Sequence, residues 1–156
     1  GLSIAAERER TDVWLTDRSV DALAVARANL TGIGRAATRV RIVEGSWFEA
    51  LPGELRGMVD VLVANPPYVA DGDELDATVR DWEPVGALYA GPDGLDDLRV
   101  IVAGAPGWLR PGGALVLEID PRQAEAVSTM AGDEGFVDVT VHRDLSGRDR
   151  AVVARR

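Results

Sequence analysis

Asn65, Pro66, Pro67 and Tyr68 stand directly after an apolar run, Val59–Ala64. Two consecutive prolines fix two φ angles and remove two N–H donors. The segment is left with acceptors, the Asn65 side-chain oxygen and the Pro66 carbonyl, and Tyr68 adds a flat face. A planar NH2 group suits such a cradle: it donates two hydrogens to two oxygens while lying against a ring. A plain strand-to-loop turn uses the same residue types. The position favours the ligand reading, because ligands of open α/β sheets sit beyond the carboxyl ends of strands.

Other residues carry two readings each. Asp17 ends a short strand just before a helix. It could accept from ribose hydroxyls, as at the second strand of nucleotide-binding sheets, or simply favour a helix N-terminus. Trp47, in Glu44-Gly45-Ser46-Trp47-Phe48, could stack on a base or pack in the core. Glu118 closes an apolar run and could face a site or a backbone N–H. Glu83-Pro84 falls in a long polar segment, residues 71–93, of a kind that often forms lids or substrate surfaces. Asp71-Gly72-Asp73-Glu74 lacks the ligand spacing of a calcium loop and reads as solvated loop. His142, with no nucleophile or carboxylate at a telling spacing, reads as surface.

The elements that must hold these residues alternate along the chain. Strands are predicted at Val13–Asp17, 39–43, Val59–Ala64, 114–119, 137–141 and 150–154. Val59–Ala64 is nearly all apolar, the signature of a strand buried on both faces. Helices are predicted over 2–9, from a Ser19 cap to about Leu30, over 94–109, and from an Asp120-Pro121-Arg122-Gln123 start to Gly135. That start carries Asp at the cap, Pro at the first helical position and Gln three after the cap. Thr31-Gly32-Ile33-Gly34 stops the second helix and Pro111-Gly112-Gly113 forms a turn. Strands separated by helices define an open α/β sheet with right-handed crossovers. The last two strands, joined by a short turn, should be antiparallel neighbours. No strand precedes the first helical pattern, and only Gly1 stands where a Gly-rich turn would be expected.

Composition narrows the chemistry. The 156 residues include no cysteine and one histidine, which excludes thiol nucleophiles, zinc knuckles and multi-histidine metal sites. All 17 basic residues are arginine, so a lysine nucleophile or P-loop lysine is excluded. The net charge of −9 disfavours non-specific binding to phosphate backbones. No stretch has the apolar length of a membrane span and no signal-peptide pattern opens the chain, so the cytoplasm is the expected compartment.

Asn65-Pro66-Pro67-Tyr68 resembles motif IV of S-adenosylmethionine-dependent amino-methyltransferases, (Asp/Asn/Ser)-Pro-Pro-(Tyr/Phe/Trp). Its flanks follow in order: Asp81-Trp82-Glu83-Pro84, Ala87-Leu88, Gly91-Pro92-Asp93-Gly94-Leu95, Leu109-Arg110-Pro111-Gly112-Gly113, Leu117-Glu118-Ile119 and Asp144-Leu145-Ser146-Gly147-Arg148-Asp149-Arg150. The series resembles the HemK/PrmC family, the N5-glutamine methyltransferases of peptide chain release factors, from about Asp12 onward.

The resemblance implies a Rossmann-like class I methyltransferase fold, mostly parallel with an antiparallel C-terminal strand. It implies S-adenosylmethionine as cofactor, S-adenosylhomocysteine as product and no metal. Asp17 matches the acid that binds the cofactor ribose, and Trp47 the aromatic residue of the adenosine pocket. Asn65 matches a cofactor contact and, with Pro66, Pro67 and Tyr68, the catalytic cradle for the substrate glutamine amide. The implied partners are release factors, with no direct nucleic acid and no membrane.

Three departures stand out. The family's Gly-rich motif I, its first strand and its N-terminal helical domain have no counterpart here, so residues 1–156 read as a catalytic domain partial at its N-terminus. Ser46 stands where many members carry Asp, and Asp120 where Gly is usual. Two alternatives are an adenine-N6 nucleic-acid methyltransferase and a non-catalytic remnant of the fold acting as an interaction module. The acidic charge and compact length oppose the first. The second predicts no S-adenosylmethionine binding even with the upstream segment restored.

Overall fold

Six strands alternate with helices in the computed structural model, which describes residues 1–75, 82 and 84–156. Glu83, read above as lid or substrate surface, lies outside the described residues. The chain forms two compact units, Gly1–Glu54 and Leu55–Arg156.

In the first unit, helix α1 (Leu2–Glu7) precedes strand β1 (Val13–Asp17), helix α2 (Val20–Leu30), a 3-10 segment (Thr31–Arg39) and strand β2 (Val40–Glu44). β1 and β2 pair in parallel, Val13 beside Val40 and Asp17 beside Glu44. Their apolar residues close a small core of Ala5, Val13, Ala36 and Val40, against which Leu2, Leu15 and Ile42 pack. Arg39 ties α1 to it, donating to the Ala5 carbonyl at 2.5 Å and to the Thr11 carbonyl at 3.3 Å. Ser19 caps α2, its side chain accepting from the Ala22 N–H at 3.2 Å, as its residue type requires. α2 ends at Leu30 as expected, and a 3-10 path follows, interrupted at Gly34, whose φ of 56° lies outside any helix.

In the second unit the strand order is β3 (Val59–Ala64), β4 (Leu109–Glu118), β6 (Asp149–Arg155), β5 (Val137–Arg143). β3 and β4 are parallel, while β6 runs antiparallel to both β4 and β5, as the short connection predicts. Helices α3 (Asp96–Gly104) and α4 (Ala124–Asp133) supply Leu98, Ile101 and Val127, which join Leu115, Leu117 and Val152 in a core with essentially no exposure. Burial of these side chains is the main stabilising term, about 1.5–3 kcal/mol each.

Several expectations shift. β3 is not buried on both faces: Val61 and Val63, which share one face, are 51% and 57% exposed, because that face is left uncovered. An apolar run does not reveal which face is covered. β4 begins five residues before the expected 114, and the Pro111-Gly112-Gly113 turn lies inside it. The register accordingly steps from Val59–Leu109 to Val61–Ala114. Gly113 sits so close to the Val59 and Asp60 carbonyls that a Cβ there would fall 3.0 and 3.2 Å from them. The helix expected from residue 94 starts at Asp96, since Gly94 has φ of +70°, and gives way at Ala105 to a 3-10 turn containing Pro106. The remaining strands keep their predicted places to within two residues. The fold class inferred from the alternation therefore holds.

Candidate functional site

Two groups of predicted residues stand at the carboxyl ends of strands, one in each unit. In the first unit Asp17 is the last, exposed residue of β1. One of its carboxylate oxygens, Oδ1, accepts from the Ser19 N–H at 2.8 Å, which fixes the side chain and leaves Oδ2 as a further acceptor. The Asp17 carbonyl accepts from the Gly45 N–H at 3.0 Å, binding the end of β1 to the turn that leads into Trp47. Trp47 is half-buried and opens a short 3-10 turn (Trp47–Ala50) with φ of +44°. That conformation costs a bulky residue on the order of 1–3 kcal/mol and is concentrated at binding sites. Asp17 and the turn bearing Trp47 are thus brought together.

In the second unit Asn65 follows β3 directly and is exposed, Pro66 is buried, and Pro67 and Tyr68 are half-buried. Val69 pairs with Tyr89 in an isolated parallel bridge: the Val69 N–H donates to the Leu88 carbonyl, and the Ala90 N–H donates to the Val69 carbonyl, both at 2.9 Å. The segment is therefore anchored just beyond its last residue. The Tyr68 hydroxyl donates to Glu118 Oε1 at 3.4 Å, a long hydrogen bond from the end of β4. Burial raises the Tyr68 phenol above its ordinary value, the Glu118 carboxylate raises it further, and the Arg150 guanidinium opposes them. At neutral pH the phenol is protonated and is the donor.

One contributor carries no sequence mark of its role. Gln123 stands out in the sequence only as the third residue of a capping box, and it does close that box, its Oε1 accepting from the Asp120 N–H at 3.1 Å. Its Nε2 also donates to the Tyr68 carbonyl at 2.9 Å and to the Gly94 carbonyl at 3.0 Å. Those partners lie 55 and 29 positions away, so no local signal marks them. Beside this junction a cavity of about 180 Å³ is lined by Tyr68, Ala70, Asp93, Leu95, Arg122 and Gln123, among others. Arg122 bridges Asp73 at 2.6 Å and Asp120 at 2.9 Å. His142 is exposed, with Nε2 3.2 Å from the Thr140 hydroxyl, in keeping with a surface residue.

A carboxylate and an indole at strand ends fit a nucleoside-bearing cofactor: the free oxygen of Asp17 can take a ribose hydroxyl and the indole of Trp47 can take a base. Solved structures share the fold. It superposes over 98% of its length on 66% of a methyltransferase from Pyrococcus furiosus, with a TM-score of 0.67 at 17% identity. It also matches the aminoglycoside resistance methyltransferase NpmB1 over 99% of its length and 80% of that chain, with a TM-score of 0.58 at 17% identity. The fold is that of the class I methyltransferases.

The sequence relatives are more particular. The chain is 45% identical over 155 residues to a release factor glutamine methyltransferase of Xylella fastidiosa, and 45% identical over 157 residues to one of Cereibacter sphaeroides. It is 41% identical over 156 residues to one of Mycolicibacterium smegmatis. Each match takes in 99% of this chain and 54% of the relative, so the chain spans about half the length of the curated relatives it matches. No protein-family model matches. The resemblance to the HemK/PrmC family is borne out by homology over nearly the whole chain.

Proposed function

We propose that the chain is the methyl-transferring part of an S-adenosylmethionine-dependent enzyme. Its acceptor is the side-chain amide nitrogen of the glutamine in the Gly-Gly-Gln motif of peptide chain release factors. The observation that carries this reading is the homology to release factor glutamine methyltransferases over 99% of the chain, with Asn65-Pro66-Pro67-Tyr68 inside it at the end of β3. Residues 1–156 then belong to one catalytic domain, acting in the cytoplasm. No helix among the described residues is long and apolar enough to cross a membrane.

Asp17 and Trp47 are assigned to the ribose and adenine of the cofactor, and Asn65 touches both cofactor and substrate. When bound, S-adenosylmethionine supplies an electrophilic methyl group on a sulfonium, whose departure leaves S-adenosylhomocysteine. A glutamine amide nitrogen is a weak nucleophile, because its lone pair is delocalised into the carbonyl. The Asn65 side-chain oxygen and the Pro66 carbonyl accept its two hydrogens, which localises density on nitrogen and orients the lone pair. The Pro66-Pro67 pair keeps those oxygens fixed, and the Tyr68 ring supports the amide plane. As the nitrogen gains positive charge the same two oxygens stabilise it, and one N–H proton is then released. Catalysis is by positioning and preorganised electrostatics, with no covalent enzyme intermediate.

The test is methyl transfer from labelled S-adenosylmethionine by the full natural protein. The acceptors are a release factor, the same factor with its Gly-Gly-Gln glutamine replaced, and a DNA oligonucleotide. Label on the intact factor alone is the expected result. Label on the glutamine-replaced factor or on DNA overturns the reading.

A further inference from the structure

Gln123 is the buried polar side chain of the described residues, 7% exposed. Its amide joins three separate stretches of chain: Tyr68, Gly94 and the Asp120 start of the final helical segment. A capping glutamine needs only the last of these. Both of its N–H donors are committed elsewhere, to the carbonyls of Tyr68 and Gly94. Gly94 completes the junction. Its φ of +70° suits glycine, and a Cβ there would collide with the Tyr68 carbonyl oxygen and stand 3.0 Å from Gln123 Nε2. The Tyr68 carbonyl is therefore seated between one glycine backbone and one side-chain amide. Upstream of it, two prolines with fixed φ make the segment stiff. A displacement of the Tyr68 carbonyl is carried back to the Pro66 carbonyl and Asn65 rather than absorbed between them.

We infer that Gln123 is a positioning residue for methyl transfer: through the Tyr68 carbonyl, its side-chain amide sets the placement of the Asn65–Pro66 acceptors. The inference rests on the reading of that segment as the amide cradle. It gives the glutamine a second role beyond closing a helix end. A misplacement of reacting groups by about 1 Å costs on the order of 100-fold in rate, so a modest tilt of this segment is enough to be measured.

Two substitutions in the full natural protein test it. Gln123→Glu keeps the shape and the oxygen that accepts from Asp120. It sets a carboxylate oxygen against the Tyr68 and Gly94 carbonyls, where only the protonated acid can donate. A carboxyl group so placed has a raised pKa. Gln123→Met keeps the bulk and donates nothing at any pH. With release factor as acceptor, Gln123→Glu is expected to lower kcat about 10- to 100-fold near pH 8.5. Relative to wild type, it should recover several-fold as the pH falls toward about 6. The Gln123→Met loss should persist across that range. KM for S-adenosylmethionine should rise by less than kcat falls in both. Hydrogen exchange should accelerate at Val69 and Ala90, whose N–H groups bond across the bridge, in both variants, with the strand amides of β4 and β6 unchanged.

A Gln123→Glu kcat within about twofold of wild type overturns the inference, as does a loss that follows the wild-type pH profile. Uniformly faster exchange across the second unit also overturns it, since that would mark a general structural role. If wild type places no methyl on the glutamine, the acceptor reading fails by itself. Exchange at Val69 and Ala90 still decides, separately, whether Gln123 holds the segment.

Discussion

Tyr68 is held at both ends, its hydroxyl by Glu118 and its carbonyl by Gln123. Asn65, three residues earlier, projects from the end of β3 and is exposed. In the proposed mechanism the two residues have separable effects. Asn65→Ala removes one acceptor from the developing charge, and kcat should fall about 10²- to 10³-fold, the scale of losing one oxyanion-hole donor; steady-state methyl transfer measures it. Tyr68→Phe keeps the ring face and loses a long hydrogen bond to the Glu118 carboxylate; kcat should fall about tenfold, roughly 1.5 kcal/mol, the low end for a bond to a charged group. The pH dependence of the phenol has a definite sign. Its folded-state pKa is raised, so its contribution to stability is complete below the unfolded phenol range and is lost as pH rises through the folded value. Urea denaturation of wild type and Tyr68→Phe between about pH 8 and 11 should therefore converge at the alkaline end. The site was partly legible in the sequence. Asn65 to Tyr68 announce themselves by two prolines after an apolar run, and Asp17 by its place between strand and helix. Gln123 and Gly94 do not, because their partners are set by tertiary packing.

Among the elements, the start of the final helical segment shows how local chemistry fixes a boundary. Asp120 accepts from the Arg122 N–H at 2.9 Å, and Gln123 returns a bond to the Asp120 N–H. Burial raises the Asp120 carboxyl, but the Arg122 side chain and backbone N–H overcome this and hold it below the usual carboxylate range. A lowered folded-state pKa means stability that is present above the unfolded value and lost as pH falls through the folded one. Asp120→Ala should cost about 1 kcal/mol at neutral pH, the usual worth of an N-cap. The difference from wild type in urea midpoints should shrink as pH drops from about 5 to 3. Cap and strand signals of this kind were readable because each is confined to a few consecutive residues. The full length of β4 was not, because Pro111-Gly112-Gly113 has the residue types of a turn and is accommodated only by a register step against β3. Nor was the exposed face of β3, since composition reports that a residue is apolar, not what covers it. Gly94 likewise looks like a helix start until its positive φ, dictated by the Tyr68 carbonyl behind it, moves the start to Asp96.

For the molecule as a whole, the alternation of strands and helices yields the class I methyltransferase fold. That fold alone assigns no substrate. The acidic balance of −9 fits a protein acceptor better than a phosphate backbone. In the proposed reaction the methyl group goes to an amide nitrogen. The most direct measurement is acid hydrolysis of the labelled product formed by the full natural protein, S-adenosylmethionine and an intact release factor. Hydrolysis of an N5-methylglutamine cleaves the amide and releases the label as volatile methylamine. Amide methylation predicts label recovered as methylamine, and none when the Gly-Gly-Gln glutamine is replaced. Label that stays on another amino acid after hydrolysis, or that survives replacement of the glutamine, would contradict it.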